Sequence, residues 1–198
     1  MSAIQTLGFL LGTSFASGLN LYATVAALGL LHRFHVIDLP PSLQVLSHTA
    51  VLAVAIALYA VEFVADKIPY VDSVWDVVHT FIRPPAAAIL AYSAVDQMPE
   101  GWRLAAALLA GGVALTSHGT KASARVAINT SPEPFSNSAA SLAEDGLAIG
   151  LSWLASVHPI LTAVIVVVLL AGSAWVLYKL FHFLKNSLRR LFARGAAA

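Results

Sequence analysis

The sequence predicts an all-α polytopic membrane protein with about six transmembrane or re-entrant helices. Of its 198 residues, 59% are hydrophobic and only 11% are charged. Soluble domains contain roughly 45 to 50% apolar and roughly 25% charged residues. Long apolar segments also recur along the chain, and a bilayer span needs only ~20 mostly apolar residues. Composition and segment length together favour a membrane protein over a soluble domain.

The first half of the chain contains three apolar segments. Residues 4–34 exceed the length of one crossing, and their Gly and Ser residues predict a broken helix near Gly18. Residues 43–64 predict an uninterrupted second span. Residues 72–95 contain the Arg-Pro-Pro sequence at 83–85, which predicts an amphipathic first part joined to an apolar second part.

The second half repeats this order. Residues 102–128 are again overlong, and Gly and Ser residues in their middle predict a second broken helix near Gly119. Residues 138–157 predict a helix of small residues, and residues 160–183 predict the plainest span in the chain. Residues 185–198 form a basic tail, which the positive-inside rule assigns to the cytoplasm. Six crossings would then leave the N-terminus in the cytoplasm as well.

An alignment within the chain indicates an internal repeat. Placing residues 18–26 on residues 119–127 gives identical Gly, Ala, Val and Ala at matching positions. We therefore divide the chain into a first three-helix repeat, 1–98, a second three-helix repeat, 99–184, and the tail. An odd number of crossings per unit inverts the second copy, and inverted repeats with interrupted helices are typical of secondary transporters.

Charge and cysteine content exclude several functions. Eleven Lys and Arg against ten Asp and Glu give a net charge of +1, which is too balanced for a nucleic-acid binder. The chain has no cysteine, so disulfides, thiolate metal sites and thiol nucleophiles are excluded. The sequence also contains no nucleophile elbow, phosphate-binding loop or dinucleotide fingerprint.

Two pairs of carboxylates share the spacing of one helical turn. Glu62 and Asp66 are four residues apart, as are Asp72 and Asp76, so each pair lies on one helix face. Like charges at this spacing repel unless a cation, a proton or a basic partner lies between them. The pattern fits a solvated cytoplasmic hairpin or a functional site. In the functional interpretation, Glu62 and Asp66 couple or gate transport, and Asp66, Asp72 and Asp76 are candidate ligands of a divalent cation such as Mg²⁺.

Two cations follow the predicted break at Gly119. Lys121 and Arg125 are one turn apart, and with a helix N-terminus beside them they would attract an anion. They could instead extend to the interface or pair with the acidic residues Glu144 and Asp145, which would then act as alternating partners. In the first repeat, Asn20 holds the position that matches Lys121, Tyr22 follows two residues later, and both are neutral. They would contact an uncharged part of the ligand or serve helix packing.

Several of these motifs together resemble a known family. The first motif is Gly-Leu-Asn-Leu-Tyr at residues 18–22, and the second is Glu62 with Asp-Lys-Ile-Pro at residues 66–69 and Asp72. The third consists of His-Thr at residues 79–80 and Arg-Pro at residues 83–84. In these motifs the chain resembles the bacterial membrane family catalogued as domain of unknown function 4126, over about residues 4–180. The resemblance implies a multi-pass inner-membrane protein and supplies no established activity.

The residues favour a small integral membrane transporter or channel for an anionic solute or lipid headgroup, with carboxylate-linked proton or cation coupling. We expect a homo-oligomer in the bacterial inner membrane, with both termini cytoplasmic and no nucleic-acid partner. Two alternatives remain. One is an intramembrane metal-dependent enzyme that acts on a phosphate-bearing lipid, and the other is an accessory membrane subunit.

Overall fold

The computed structural model describes residues 2–130 and 134–195, and within them all regular secondary structure is helical, as predicted. We number the α-helices α1 to α8 in chain order, with one 3₁₀ helix between α2 and α3. Their bounds are α1 Ala3–Leu19, α2 Leu21–Arg33, the 3₁₀ helix Pro41–Ser47, α3 Thr49–Ala65, α4 Val71–His79, α5 Arg83–Ala94, α6 Glu100–Ile128, α7 Pro134–Val157 and α8 Pro159–Gly195.

The predicted break near Gly18 is present, and Asn20 forms it. Asn20 lies between α1 and α2 in an extended conformation, with φ −150° and ψ 103°. Its backbone N–H donates to the carbonyl of Ala16, and its side-chain oxygen accepts from the N–H of Ala23 at 2.9 Å. One asparagine therefore caps the end of α1 and the start of α2, so the chain changes direction without leaving these backbone groups unpaired.

The predicted break near Gly119 is wrong. Helix α6 continues through Gly119 without interruption for 29 residues. Hydroxyl groups along this stretch donate to carbonyls one turn earlier, as Thr120 does to Thr116 and Ser123 does to Gly119. Small hydroxylated residues remain compatible with a helix when their side chains bond to it in this way. Consequently there is no helix N-terminus beside Lys121 to attract an anion.

The segment predicted as an uninterrupted second span is also divided. The 3₁₀ helix and α3 meet at His48, and their axes differ by 64°. Among the described residues, one helix is long and apolar enough by itself to cross a membrane, namely α8 over Pro159–Phe183, with a mean hydropathy of 2.7. The 3₁₀ helix and α3 are together also long and apolar enough to cross a membrane, if the bent pair is taken as one span.

Helix α4 presents its charges to the interior and its valines outward. Asp72, Asp76 and His79 are buried, whereas the large apolar residues Val74 and Val77 are 67% and 64% exposed. This orientation is the reverse of that in a surface helix of a soluble protein. As predicted, the amphipathic helix α4 is separated from the next helix, α5, just before the two prolines.

Helix α1 lies at the centre of the bundle and packs on α5, α6, α7 and α8. It approaches α6 closely at Gly18, where an added methyl group would overlap Ser117 and the backbone of Ala114. Helix α8 extends through residue 195, so residues 185–195, predicted as a tail, continue that helix. Residues 196–198 of the predicted tail lie outside the described residues.

Candidate functional site

The interior of the bundle contains eight ionisable side chains joined by ion pairs, which we call the charge cluster. The turn after α3, together with α3 to α7, supplies its members. They are Glu62, Asp66, Asp72, Asp76, Arg83, Lys121, Arg125 and Glu144. Seven of these side chains are at most 2% exposed, and Glu144 is 13% exposed.

The turn between α3 and α4 brings the two carboxylate pairs face to face. It contains Pro69 and then Tyr70, whose φ of 71° lies in the left-handed region that a bulky residue rarely adopts. After this turn, α4 returns the chain so that the end of α3 and the start of α4 face the same part of α6.

Arg83, at the start of α5, holds one end of the cluster. Its Nη2 atom donates to Glu62 Oε1 at 2.5 Å, and both side chains are fully buried. Its Nη1 atom donates to the carbonyl oxygen of Gly18 at 3.0 Å and to His118 Nδ1 at 2.8 Å. The same Nη1 atom lies 3.7 Å from Asp76 Oδ1. Arg83 therefore ties α5 to α1, α3 and α6 through charge-assisted hydrogen bonds.

Lys121 lies at the centre of the cluster. Its Nζ atom is 2.5 Å from Asp66 Oδ2 and also donates to the carbonyl oxygen of Leu19 at 3.2 Å. Glu144 and Glu62 lie at 3.5 and 3.6 Å from the same nitrogen. With Asp76 at 3.9 Å, the lysine is surrounded by carboxylates from four segments, which offsets the cost of burying its charge.

Arg125 holds the end of the cluster opposite Arg83. Its Nη2 atom is 2.5 Å from Glu144 Oε2 and 3.8 Å from Asp66 Oδ2. Its Nη1 atom donates to the carbonyl oxygens of Asp66 and Asn137, and lies 4.0 Å from Asp72 Oδ2. Arg125 therefore joins α6 to α7 and to the turn after α3.

His118 is neutral, and its tautomer follows from its partners. Its Nδ1 atom must accept, because the Nη1 atom of Arg83 can only donate. Its Nε2 atom therefore carries the proton, and it faces two oxygen atoms, Thr80 Oγ1 at 2.9 Å and the Asp76 carbonyl at 3.0 Å. A protonated imidazolium would place an N–H against Arg83, so His118 is a fixed hydrogen-bonding group in this arrangement.

Two aspartates on α4 differ in their hydrogen bonds. Asp72 Oδ1 accepts from the backbone N–H of Ser73 at 2.7 Å and from the side-chain amide of Asn129 at 2.9 Å. Asp76 is equally buried, at 1% exposure, yet neither of its carboxylate oxygens has a hydrogen-bond partner within the described residues. Such a group is costly in a protein interior unless it is neutralised or otherwise bound.

The remaining predicted site residues lie beside the cluster. Asp145 accepts from the Asn20 side-chain amide at 2.8 Å and from the Tyr59 hydroxyl at 3.4 Å. The Tyr22 hydroxyl donates to Nε2 of His79 at 3.2 Å, since the Nδ1 proton of that ring is directed at the carbonyl of Trp75. Asn20 and Asp145 are thus joined to each other, and within the described residues neither forms a hydrogen bond or ion pair with Lys121 or Arg125.

Tyr22 also forms part of an apolar groove between α2, α3 and α5. The groove has a volume of about 530 Å³, and apart from Tyr22 its lining side chains are aliphatic. They include Val25, Val54, Leu58 and Ile89. The Tyr22 side chain therefore lines this groove while its hydroxyl bonds to His79 of α4.

The aspartates proposed as Mg²⁺ ligands do not form a metal site in the described residues. No group of three or more His, Asp or Glu in residues 2–130 and 134–195 is arranged to hold a metal ion. Each proposed ligand instead faces a cation, as Asp66 does Lys121, Asp72 does Arg125 and Asp76 does Arg83. The basic side chains take the positions that the prediction gave to a metal.

The sequence places seven of the eight cluster residues among its candidates, although Asp72 and Asp76 only as metal ligands. It does not count Arg83 as a site residue, nor His118, which directly precedes the two cations, and it misses the hydrogen-bonding residues Asn129 and Asn137. A signal for Arg83 is present, because His79 and Arg83 continue the helix face that carries the two aspartates. The amide residues have no such signal, since their partners are distant in sequence.

A comparison with known protein families shows the family to which this chain belongs. The family model described as a domain of unknown function, DUF4126, matches residues 7–179. The chain belongs to this family. The matched region includes all eight members of the charge cluster. Searches of curated proteins and of solved structures found no match.

Proposed function

We propose that this DUF4126 protein is a small integral membrane transporter or channel for an anionic solute or lipid headgroup, with proton coupling through buried carboxylates. The observation that carries the proposal is the position of Glu144. Its carboxylate bridges Arg125 at 2.5 Å and Lys121 at 3.5 Å, and it is the most exposed member of the charge cluster. It thus occupies the position that an anionic ligand would take.

The distribution of polar and apolar residues supports a membrane location. Seven of the eight members of the charge cluster are buried, whereas large apolar side chains are exposed on α3, α4, α6 and α8. A bilayer accommodates such a surface, since contact with lipid costs an apolar side chain nothing. In the most apolar 18-residue stretch of α8, only 17% of the residues are buried within this chain. The rest of that stretch offers an extended surface to lipid or to a second copy in a homo-oligomer.

The finer architecture belongs to the same proposal. We place about six crossings, arranged as inverted repeats over residues 1–98 and 99–184, in a bacterial inner membrane with both termini cytoplasmic. Support comes from the similar order of apolar segments in the two halves and from the basic residues that follow the most apolar part of α8.

The charge of the cluster supports exchange of an anion for Glu144. Five carboxylates face three cations, so the formal charge is −2 when all are ionised. Adding an anion to this set would be unfavourable. If Glu144 moves into solvent as the anion enters, the charge around Lys121 and Arg125 does not change, and the cations keep a partner throughout.

The test measures anion affinity after the Glu144 carboxylate, which competes with an anion for Lys121 and Arg125, has been removed. Glu144→Gln should bind an anion roughly tenfold to a hundredfold more tightly than the wild type, because a charge-assisted hydrogen bond contributes about 1.5–3 kcal/mol. The probes are inorganic phosphate, acetate and glycerol phosphate, and the readout is thermal stabilisation of the purified protein as a function of anion concentration. Uptake of the same anions into proteoliposomes then measures transport.

Asp145→Asn is the matched control. It removes a carboxylate one residue away that pairs with Asn20 and Tyr59 rather than with the cations. Its anion affinity should remain within about twofold of the wild type, because Glu144 still competes. No stabilisation of folded Glu144→Gln by any of the three anions, or equal gains in both variants, would refute the proposal.

No observation in the described residues favours the metal-dependent enzyme, because the aspartates it requires are engaged with cations.

A further inference from the structure

We propose that Asp76 is the coupling carboxylate, the group in the charge cluster that binds and releases a proton. This inference rests on the proposed function and deepens it, because it moves the coupling role from Glu62, which the sequence favoured, to a residue on α4. Three features of the structure carry the assignment. They are the hydrogen bonds of the five carboxylates, the groups that face Asp76, and the fixed tautomer of His118.

The first feature separates Asp76 from every other carboxylate in the cluster. Each of the other four has a donor within 2.9 Å. The donors are Arg83 for Glu62, Lys121 for Asp66, Ser73 and Asn129 for Asp72, and Arg125 for Glu144. These bonds stabilise the ionised form. Within the described residues Asp76 receives none, and its nearest cationic nitrogens lie at 3.7 and 3.9 Å.

The second feature is the set of charges around Asp76. Within 4 Å, Arg83 of α5 and Lys121 of α6 are its cationic neighbours in the described part of the chain, and Arg125 of α6 attracts it from a greater distance. Both are engaged more closely elsewhere, at 2.5 Å, by Glu62 of α3 and by Asp66 of the following turn. The further groups are His118 of α6, whose ring bonds the Asp76 backbone carbonyl, and Glu144 of α7, which shares Lys121. In the described residues Asp76 is thus the carboxylate that shares both of its near cations with closer carboxylates and receives no hydrogen bond itself.

A proton fits Asp76 better than a metal ion does. A metal would need several oxygen ligands around it, and in the described residues no such group exists. It would also lie close to Arg83 and Lys121, which repel it. A proton requires one oxygen only, removes the charge of Asp76 and makes that oxygen a donor.

The third feature, the fixed tautomer of His118, excludes this histidine as the proton carrier. His118 lies beside Asp76, and a histidine is the usual proton carrier near neutral pH. In this structure Arg83 donates to its Nδ1 atom, and its Nε2 proton is directed at two oxygens. Neither nitrogen can gain a proton without breaking the Arg83 contact. His118 therefore positions the Asp76 segment of α4 and does not carry the proton.

The step balances without another reactant. A hydronium ion transfers its proton to one carboxylate oxygen of Asp76 and leaves as water, and the charge of that residue changes from −1 to 0. The formal charge of the cluster changes from −2 to −1. Release of the proton to water reverses the step. Because protonation lowers the excess negative charge, it favours entry of an anion beside Lys121 and Arg125, which is the coupling.

Infrared spectroscopy of the purified wild-type protein tests the assignment. A protonated carboxyl group has a carbonyl band separate from those of carboxylates and amides, and the band should appear in an acid titration before the protein unfolds. Labelling aspartate with carbon-13 at the side-chain carboxyl should shift this band, which distinguishes Asp76 from Glu62 and Glu144. Asp76→Asn should lack the band, because its amide cannot titrate.

Asp72→Asn is the matched control, since it makes the same substitution one turn earlier on α4 at an equally buried site. It should retain the band while losing stability, because it disturbs the Asn129 and Ser73 contacts. A band that persists in Asp76→Asn, or no aspartate band in the wild type, would overturn the inference. If Asp76→Asn does not fold, Asp76→Glu decides, because its band should persist but no longer shift when aspartate is labelled with carbon-13. Anion binding by Glu144→Gln is a separate measurement, so the two proposals can fail independently.

Discussion

Gly18 and Gly119 are aligned by the internal repeat, and their surroundings predict opposite responses to the same substitution. A Cβ atom at Gly18 would lie 1.8 Å from Ser117 Oγ and 2.4 Å from the carbonyl oxygen of Ala114. A Cβ atom at Gly119 would meet its nearest neighbour, Leu177, at 3.9 Å. The serine hydroxyl can rotate away, but the backbone of Ala114 within α6 cannot.

The magnitude follows from two terms. Both glycines are helical, so alanine gains about 1 kcal/mol of helix propensity at each site. Overpacking at Gly18 costs about 1–3 kcal/mol, and we expect the upper end because the obstacle is backbone. The two variants should therefore differ by about 3 kcal/mol, which is ~6–12 °C in Tm for a protein of this size.

The assay is thermal unfolding of Gly18→Ala and Gly119→Ala, purified in the same detergent and compared with the wild type. Gly119→Ala should unfold at or slightly above the wild-type Tm, and Gly18→Ala well below it. Equal Tm values, or a Gly18→Ala protein that is as stable as the wild type, would show that α1 and α6 do not pack closely at this residue.

Two further predictions concern the buried polar groups. Glu62→Gln should destabilise the protein by about 3–5 kcal/mol, because Arg83 keeps a buried charge without its closest partner, and adding Arg83→Met should recover part of the loss. Thermal unfolding checks this, and a double variant less stable than the single would contradict it. Asn20→Asp keeps the cap on α2 but places a second carboxylate against Asp145, so it should cost about 1–3 kcal/mol. Asp145→Asn in the same chain should restore the Tm, and failure to do so would show that the two residues are not coupled.

The sequence predicted the helical class, the break before α2 and the division between α4 and α5, because local signals determine these features. Asn20 is a favourable N-cap residue, and Pro84 and Pro85 disfavour a helical backbone in the residues just before them. The break at Gly119 was predicted from the same kind of signal and was wrong. Glycine and serine weaken a helix in water, but here the hydroxyls bond to carbonyls one turn earlier, an arrangement compatible with the uninterrupted α6.

The site was only partly predictable, for a physical reason. Spacing of four residues reveals which carboxylates share a face, so the pairs Glu62 with Asp66 and Asp72 with Asp76 could be found. It does not reveal the opposing cation, which comes from another helix. The partnership of Glu62 with Arg83 depends on the turn at Tyr70 and on the packing of α5 against α6.

The continuity of α6 also has a mechanical consequence. His118, Lys121 and Arg125 lie on one unbroken helix, so Lys121 and Arg125 are held about 6 Å apart along its axis and cannot move independently. Helix α6 acts as a rigid rod that carries these groups together. Any rearrangement that exchanges their partners must come from the shorter segments around it, chiefly the α3–α4 hairpin and α7, which has little direct packing against α6.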